Sequence, residues 1–198
     1  EEIDRVAPIV EAVKARFDVP VSLDTYKSAV AEAGLKAGAD LINDIWGLKY
    51  DEKMGPVIAK YGVPCCLMHN REKSDYRMLI PDICADLEES LAIAEDAGID
   101  PDQIILDPGI GFGKTYEQNL AVIHHLEELN RFDLPLLLGT SRKSVIGLTL
   151  DLPAEERMEG TLVTTVLAVE KGCSFVRVHD VRENVRAIRM ARAILEAE

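Results

Sequence analysis

Stretches with a helical apolar period alternate with short apolar runs along the whole chain, an order that few folds accept. Ile3, Val6, Val10, Val13 and Phe17 fall on one helical face, and Asp18-Val19-Pro20 ends that helix. Residues 21–23 read as a short strand delivering Asp24 and Thr25, and the alanine-rich helix over 26–36 is closed by Gly38. Further strands are expected over 40–45, 63–68, 103–106, 134–138 and 174–178. Between them, helices are expected around 51–61, through Ile83, Leu87, Leu91 and Ala94 to a stop at Gly98, and through Leu120, Ile123, Leu126 and Leu129. A short helical piece after Ser144, a helix through Met158, Leu162, Val166 and Val169, and a last one through Val181, Val185, Ile188 and Leu195 complete the series. Residues 71–81 are polar and read as a loop. Strands that alternate with helices in this way imply a parallel sheet built from right-handed βαβ units.

Polar groups collect where those strands end. Asp24, Asn43, Met68 with His69, Asp107, Lys143, and Arg177 with His179 all lie at or just past a C-terminal strand end. That edge carries the active site of a (β/α)8 barrel, and it is also where the ligand crevice of an open doubly wound sheet lies. A single strand-end Asp is commonly a cap, a single His more often structural, and a single Met more often core filling. Six successive strands that each deliver such groups are harder to explain residue by residue. The most distinctive delivery is Asp107-Pro-Gly-Ile-Gly-Phe-Gly-Lys114, directly after Ile104-Ile105-Leu106. Its three glycines permit positive φ and let the backbone approach a ligand that a Cβ would exclude. Taken alone, it reads either as a phosphate-cradling loop or as a strand-to-helix turn capped by Asp107.

The chemistry of the neighbours separates two walls. Asp24, Asn43 and Asp107 offer acceptors and one amide, which suits the edge of a planar heterocycle bearing several N–H donors. Lys143, Arg177 and His179 offer donors for carbonyl and phosphate oxygens, and Ser144 sits at an expected helix start, where amides favour an anion. Metal binding is the rival use of paired carboxylates, but the His and Asp residues show no compact ligand spacing.

Composition excludes several classes. At 198 residues with 47% hydrophobic content, the chain can bury a sizeable core as one domain or as part of a larger one. A net charge of −13 argues against a nucleic-acid partner, because phosphate backbones need a basic face. No apolar run is long enough for a membrane span and no signal peptide opens the sequence. Cys65, Cys66, Cys84 and Cys173 lack the paired spacing of a zinc site and read as reduced core thiols of a soluble cytoplasmic protein.

Six segments, in this order, resemble the dihydropteroate synthase family of bacterial folate biosynthesis. They are Ser22-Leu-Asp-Thr25, Leu41-Ile-Asn-Asp-Ile45, Leu67-Met-His69, Asp107-Pro-Gly-Ile-Gly-Phe-Gly-Lys114, Ser141-Arg-Lys-Ser144 and Arg177-Val-His-Asp180. The resemblance runs over essentially the whole chain, and the fourth and fifth segments are its most specific part. It implies a (β/α)8 TIM barrel that condenses 6-hydroxymethyl-7,8-dihydropterin pyrophosphate with 4-aminobenzoate, giving 7,8-dihydropteroate and pyrophosphate with Mg²⁺ assisting. It also implies a sulfonamide target and a homodimer. Carried over by position, Asp24, Asn43, Met68, Asp107, Gly111, Lys143 and Arg177 would bind the pterin, and Phe112, Lys143 and Ser144 would border the aminobenzoate. Arg177 and His179 would hold pyrophosphate, and Lys143, Arg177 and His179 would carry the catalysis.

The family's N-terminal β/α units, with their Asn-Val-Thr-Pro-Asp-Ser-Phe-Ser-like and Gly-Glu-Ser-Thr-Arg-Pro-like loops, have no counterpart in residues 1–198. Those loops would supply the metal-binding Asn, an Asp near the pyrophosphate and an Arg at the aminobenzoate, so the resemblance places no metal ligand among these residues. The expectation is one pterin-binding barrel domain over 1–198 that holds the last six β/α units, and a native product that is longer. Two alternatives follow: a catalytically silent pterin-binding fragment, and a methyltetrahydrofolate-dependent methyltransferase sharing the pterin-binding barrel. The Ser141-Arg-Lys-Ser144 segment and the Arg177, His179 pair are synthase-like and rank the methyltransferase last.

Overall fold

A computed structural model describes residues 1–197. Helices and strands alternate in the expected order. They are α1 (Glu2–Arg16), β1 (Ser22–Asp24), α2 (Ser28–Lys36), β2 (Leu41–Asp44), α3 (Met54–Tyr61), β3 (Cys65–Met68), α4 (Leu79–Asp96) and β4 (Ile104–Asp107). There follow α5 (Tyr116–His124), β5 (Leu137–Leu138), α6 (Ser144–Leu150), α7 (Met158–Glu170), β6 (Phe175–Val176) and α8 (Val181–Leu195). The class is therefore α/β. Strands β1 to β4 form one sheet in sequence order and β5 pairs with β6 in a second. The pairs β1/β2, β2/β3 and β5/β6 are parallel.

The chain forms two compact units, Glu1–His69 with Ala85–Leu106, and Asn70–Cys84 with the chain from Asp107 onward. The first unit buries Ile42, Met54, Ile58, Leu67, Met68, Leu87 and Leu106 almost completely, and the second buries Ile83, Ile110, Leu126, Leu129 and Leu136. Each such side chain contributes on the order of 1.5–3 kcal/mol by leaving water. Cys65, Cys66 and Cys84 are buried thiols and Cys173 is partly buried; burial pushes the Cys65 and Cys173 thiols up to about 12, so neither is a nucleophile near neutral pH. Among the described residues no helix is long and apolar enough to cross a membrane.

Several element boundaries differ from the expectation, β6 among them, with two residues where 174–178 is expected, and three of the differences have a local reason. α4 starts at Leu79, within the segment expected to be loop, and Pro81 falls in its first turn, where a missing N–H breaks no helical hydrogen bond. The helix expected through Leu129 stops at His124; Leu126 and Leu129 are buried from a 3-10 segment, Leu126–Phe132, whose three-residue period keeps them on one line. β5 shrinks to Leu137–Leu138, because Pro135 has no N–H for a ladder, although the Leu136 carbonyl still accepts from the Ser174 and Phe175 amides at 2.9 and 3.0 Å.

The glycine loop enters α5 through a capping box. The Gln118 amide donates to Thr115 Oγ1 at 3.2 Å and the Thr115 amide donates to Gln118 Oε1 at 2.8 Å. Thr115→Ala removes one half of this exchange and is expected to lower stability by about 1 kcal/mol, read as a lower urea midpoint with an unchanged slope.

Candidate active site

In the first unit the register of the parallel pairs aligns the expected pterin groups. Asp24 lies opposite Asn43, and Asn43 lies opposite Cys66. Alternation along a strand then puts Asp24, Asn43, Cys66 and Met68 on one face of the sheet. Asn43 and Met68 are buried, and Asp24 is exposed at its strand end. Next in sequence, His69 is buried with its Nε2 2.9 Å from Asp86 Oδ2 on α4. Asp44 accepts from the Trp46 and Leu48 amides at 2.9 and 2.8 Å, and burial pushes its carboxyl up, so its work is to hold the turn after β2.

In the second unit the glycine loop folds back on itself. Gly109, Gly111 and Gly113 have φ of 69°, 85° and 54°. The Gly109 amide donates to Asp107 Oδ1 at 2.7 Å, and the Gly111 amide donates to Asn119 Oδ1 at 2.7 Å. Lys114 turns inward and donates to the Gly109 and Phe112 carbonyls at 3.1 Å each, so this lysine ties the loop together. At Gly113 a Cβ would run into the Arg71 backbone, and the same glycine's carbonyl accepts from Tyr76 Oη at 2.9 Å.

The loop after β5 supplies the cationic side of this unit. Lys143 Nζ donates to the Ile110 carbonyl and lies 4.9 Å from the centre of the Phe112 ring. Gly139 leaves room between Arg177 and Asp107: a Cβ there would be 3.7 Å from Arg177 Nε and 3.9 Å from Asp107 Oδ2. Gly139, Ser141, Lys143, Arg177, Val178 and His179 line a cavity of about 230 Å³. Ser144 is the exposed first residue of α6, but that helix has only seven residues, so its amides add little to the field of Lys143 and Arg177.

Sequence reasoning passed over the groups that hold these in place. Ser141 Oγ is 2.9 Å from His179 Nδ1, and Arg142 pairs with Asp180 at 2.8 Å. Arg142 takes a left-handed φ of 58°, its amide donates to Thr161 Oγ1 at 3.2 Å, and its carbonyl accepts from Arg157 Nη1 at 2.9 Å. Thr140 and Thr164 hydroxyls meet at 2.7 Å. Ser141 and Arg142 were visible within the quoted Ser-Arg-Lys-Ser segment, but nothing in the sequence marked Thr161, Thr164 or Asn119.

Asp107 is buried, and burial pushes its carboxyl up; the Gly109 amide, Lys143, Arg177 and Lys114 pull the other way and offset only part of this. The folded chain thus holds this proton more tightly than the unfolded chain. Its contribution to stability falls as pH rises from the ordinary carboxylate range through the folded-state value. Asp107→Asn removes that loss and keeps an oxygen for the Gly109 amide. The variant is expected to match or exceed the parent's urea midpoint at about pH 7, with the difference narrowing toward about pH 4. A lower midpoint at neutral pH would mean that the three cations outweigh burial.

Comparisons with known proteins identify the family. The pterin binding enzyme family matches residues 1–179. A dihydropteroate synthase of Clostridium beijerinckii is 60% identical over 98% of this chain and 73% of that protein. A crystal structure of dihydropteroate synthase from Clostridium difficile in the presence of pteroic acid superposes with a TM-score of 0.96 at 45% identity, over 98% of this chain and 74% of that one. Another, the Yersinia pestis dihydropteroate synthase with a sulfonamide drug complex, gives a TM-score of 0.94 at 40% identity, over 99% and 74% of the two chains. The barrel class implied by the resemblance accordingly stands, and this chain belongs to the pterin binding enzyme family, among its dihydropteroate synthases.

Proposed function

We propose that this chain is a transferase that condenses 6-hydroxymethyl-7,8-dihydropterin pyrophosphate with 4-aminobenzoate. The observation that carries the reading is the buried Asp107 carboxylate beside Lys143 and Arg177, in a chain 60% identical to a dihydropteroate synthase. The pteroic acid and sulfonamide complexes of its structural relatives support a site for a pterin next to an aminobenzoate-like ring. The 1–198 segment is taken as a single pterin-binding domain.

In this reading Asp107 accepts two hydrogen bonds from the pterin edge, and Asn43 and Asp24 complete that edge. Met68 and Gly111 pack on the ring, Lys143 donates to its carbonyl and Arg177 stacks on its face. Phe112, Lys143 and Ser144 border the aminobenzoate. The aniline nitrogen attacks the exocyclic CH2 of the pterin and forms the C–N bond. The C–O bond to pyrophosphate breaks with its electron pair leaving on oxygen, and the nitrogen loses a proton. Arg177 and His179 donate to the departing pyrophosphate, where negative charge develops. Holding both rings aligned replaces a chance encounter, and no nucleophile of the protein is required. Among the described residues no three His, Cys, Asp or Glu side chains come together in a way that could hold a metal ion. The described residues offer no ready-made cage of such ligands for the Mg²⁺ the resemblance implies, and no step is assigned to it. A cytoplasmic homodimer is the matching cellular form.

The test is pyrophosphate release from dihydropterin pyrophosphate with Mg²⁺, with and without 4-aminobenzoate. Release that depends on 4-aminobenzoate is expected, and Arg177→Ala should lower kcat about a hundredfold. Asp107→Asn should weaken pterin binding by roughly tenfold or more while leaving the fold intact. Pterin binding without any release would identify a silent binding fragment instead.

A further inference from the structure

The contacts between Ser141 and His179 fix more than the position of a ring. Ser141 is 7% exposed, and its Oγ lies 2.9 Å from His179 Nδ1 and accepts from the His179 backbone amide at 3.2 Å. A serine hydroxyl has one proton and two lone pairs. One lone pair takes the amide hydrogen, and among the described residues Nδ1 is the one side-chain partner of Oγ. Donation of the hydroxyl proton to Nδ1 uses that proton within the protein and puts the hydrogen of the neutral ring on Nε2. Swapping the two nitrogens by a ring flip would break the same bond, so Oγ fixes orientation and tautomer together. The His179 ring is exposed and lines the cavity that also holds Lys143 and Arg177.

We propose that Ser141 is a positioning residue that holds His179 as its Nε2–H tautomer, so that the neutral imidazole presents a donor rather than a lone pair to a phosphoryl oxygen in that cavity. The opposite tautomer would set a nitrogen lone pair against an anionic oxygen. The consequence for binding rests on the reading of His179 as a pyrophosphate group; the tautomer itself does not.

The experiment is two-bond ¹H–¹⁵N correlation on the uniformly labelled protein at mildly alkaline pH, with His179 assigned by its loss in His179→Gln. In the parent, Nδ1 should resonate as an unprotonated nitrogen and Nε2 as a protonated one. In Ser141→Ala both should move toward the averaged values of a mixed population, and Ser141→Thr, which keeps a hydroxyl, should restore the parent pattern. The buried His69 signals serve as a fold control and should stay in place. A parent ring protonated on Nδ1, or a pattern unchanged in Ser141→Ala, would overturn the proposal, and the first of these is decided even if the alanine variant fails to fold. Titration with inorganic pyrophosphate supplies the second readout. Its Kd should rise by about two- to fivefold in Ser141→Ala, as expected when the competent form is only partly populated, and the same substitution should change nothing in a His179→Gln background. If pyrophosphate leaves the His179 signals unmoved while the Nε2–H tautomer is present, the pyrophosphate reading of the site falls and the tautomer assignment stands.

Discussion

A carboxylate that has lost almost all contact with water at a strand end is the feature on which the second unit depends. Asp107 is buried, and its compensation comes from one loop amide and from cations carried by the glycine loop, the loop after β5 and the segment after β6. The compensation is incomplete, and the carboxyl is pushed up in consequence. In the proposed function such a group meets a ligand that brings its own N–H donors, and those donors supply what the fold withholds. The glycines serve the same end. They let the loop curl so that the Gly109 amide meets the carboxylate and the Gly111 amide meets Asn119.

The cationic side is held by polar fasteners rather than by apolar packing. Arg142 accepts a left-handed backbone, a conformation that costs on the order of 1–3 kcal/mol outside glycine, and Thr161, Arg157 and Asp180 each bind a different part of it. Its neighbours then point usefully in two directions, Lys143 toward Ile110 and Phe112 and Ser141 toward His179. The net charge of −13 does not conflict with an anionic substrate here. Beyond roughly 8 Å the acidic surface is screened at physiological salt, and Lys143 and Arg177 line the cavity itself.

Much of this was legible in the chain. The alternation of periods gave the order of helices and strands, and glycines and prolines marked most of the ends. The misplaced boundaries were those where one local signal stood for two structures. A three-residue apolar spacing at Leu126 and Leu129 suits an α-helix and a 3-10 turn alike, and Pro81 could end a loop or sit in a helix's first turn. The candidate site residues were legible as types at strand ends. Their supports were not, because His69 and Asp86 are 17 residues apart and Ser141 and His179 are 38 apart.

The amino-acid sequence by itself determined which groups arrive at the strand ends, since periodicity, glycine φ and capping chemistry act between near neighbours along the chain. Only the tertiary structure decided the state of those groups. Whether Asp107 holds its proton, and which nitrogen of His179 carries one, depend on desolvation and on partners that folding brings together.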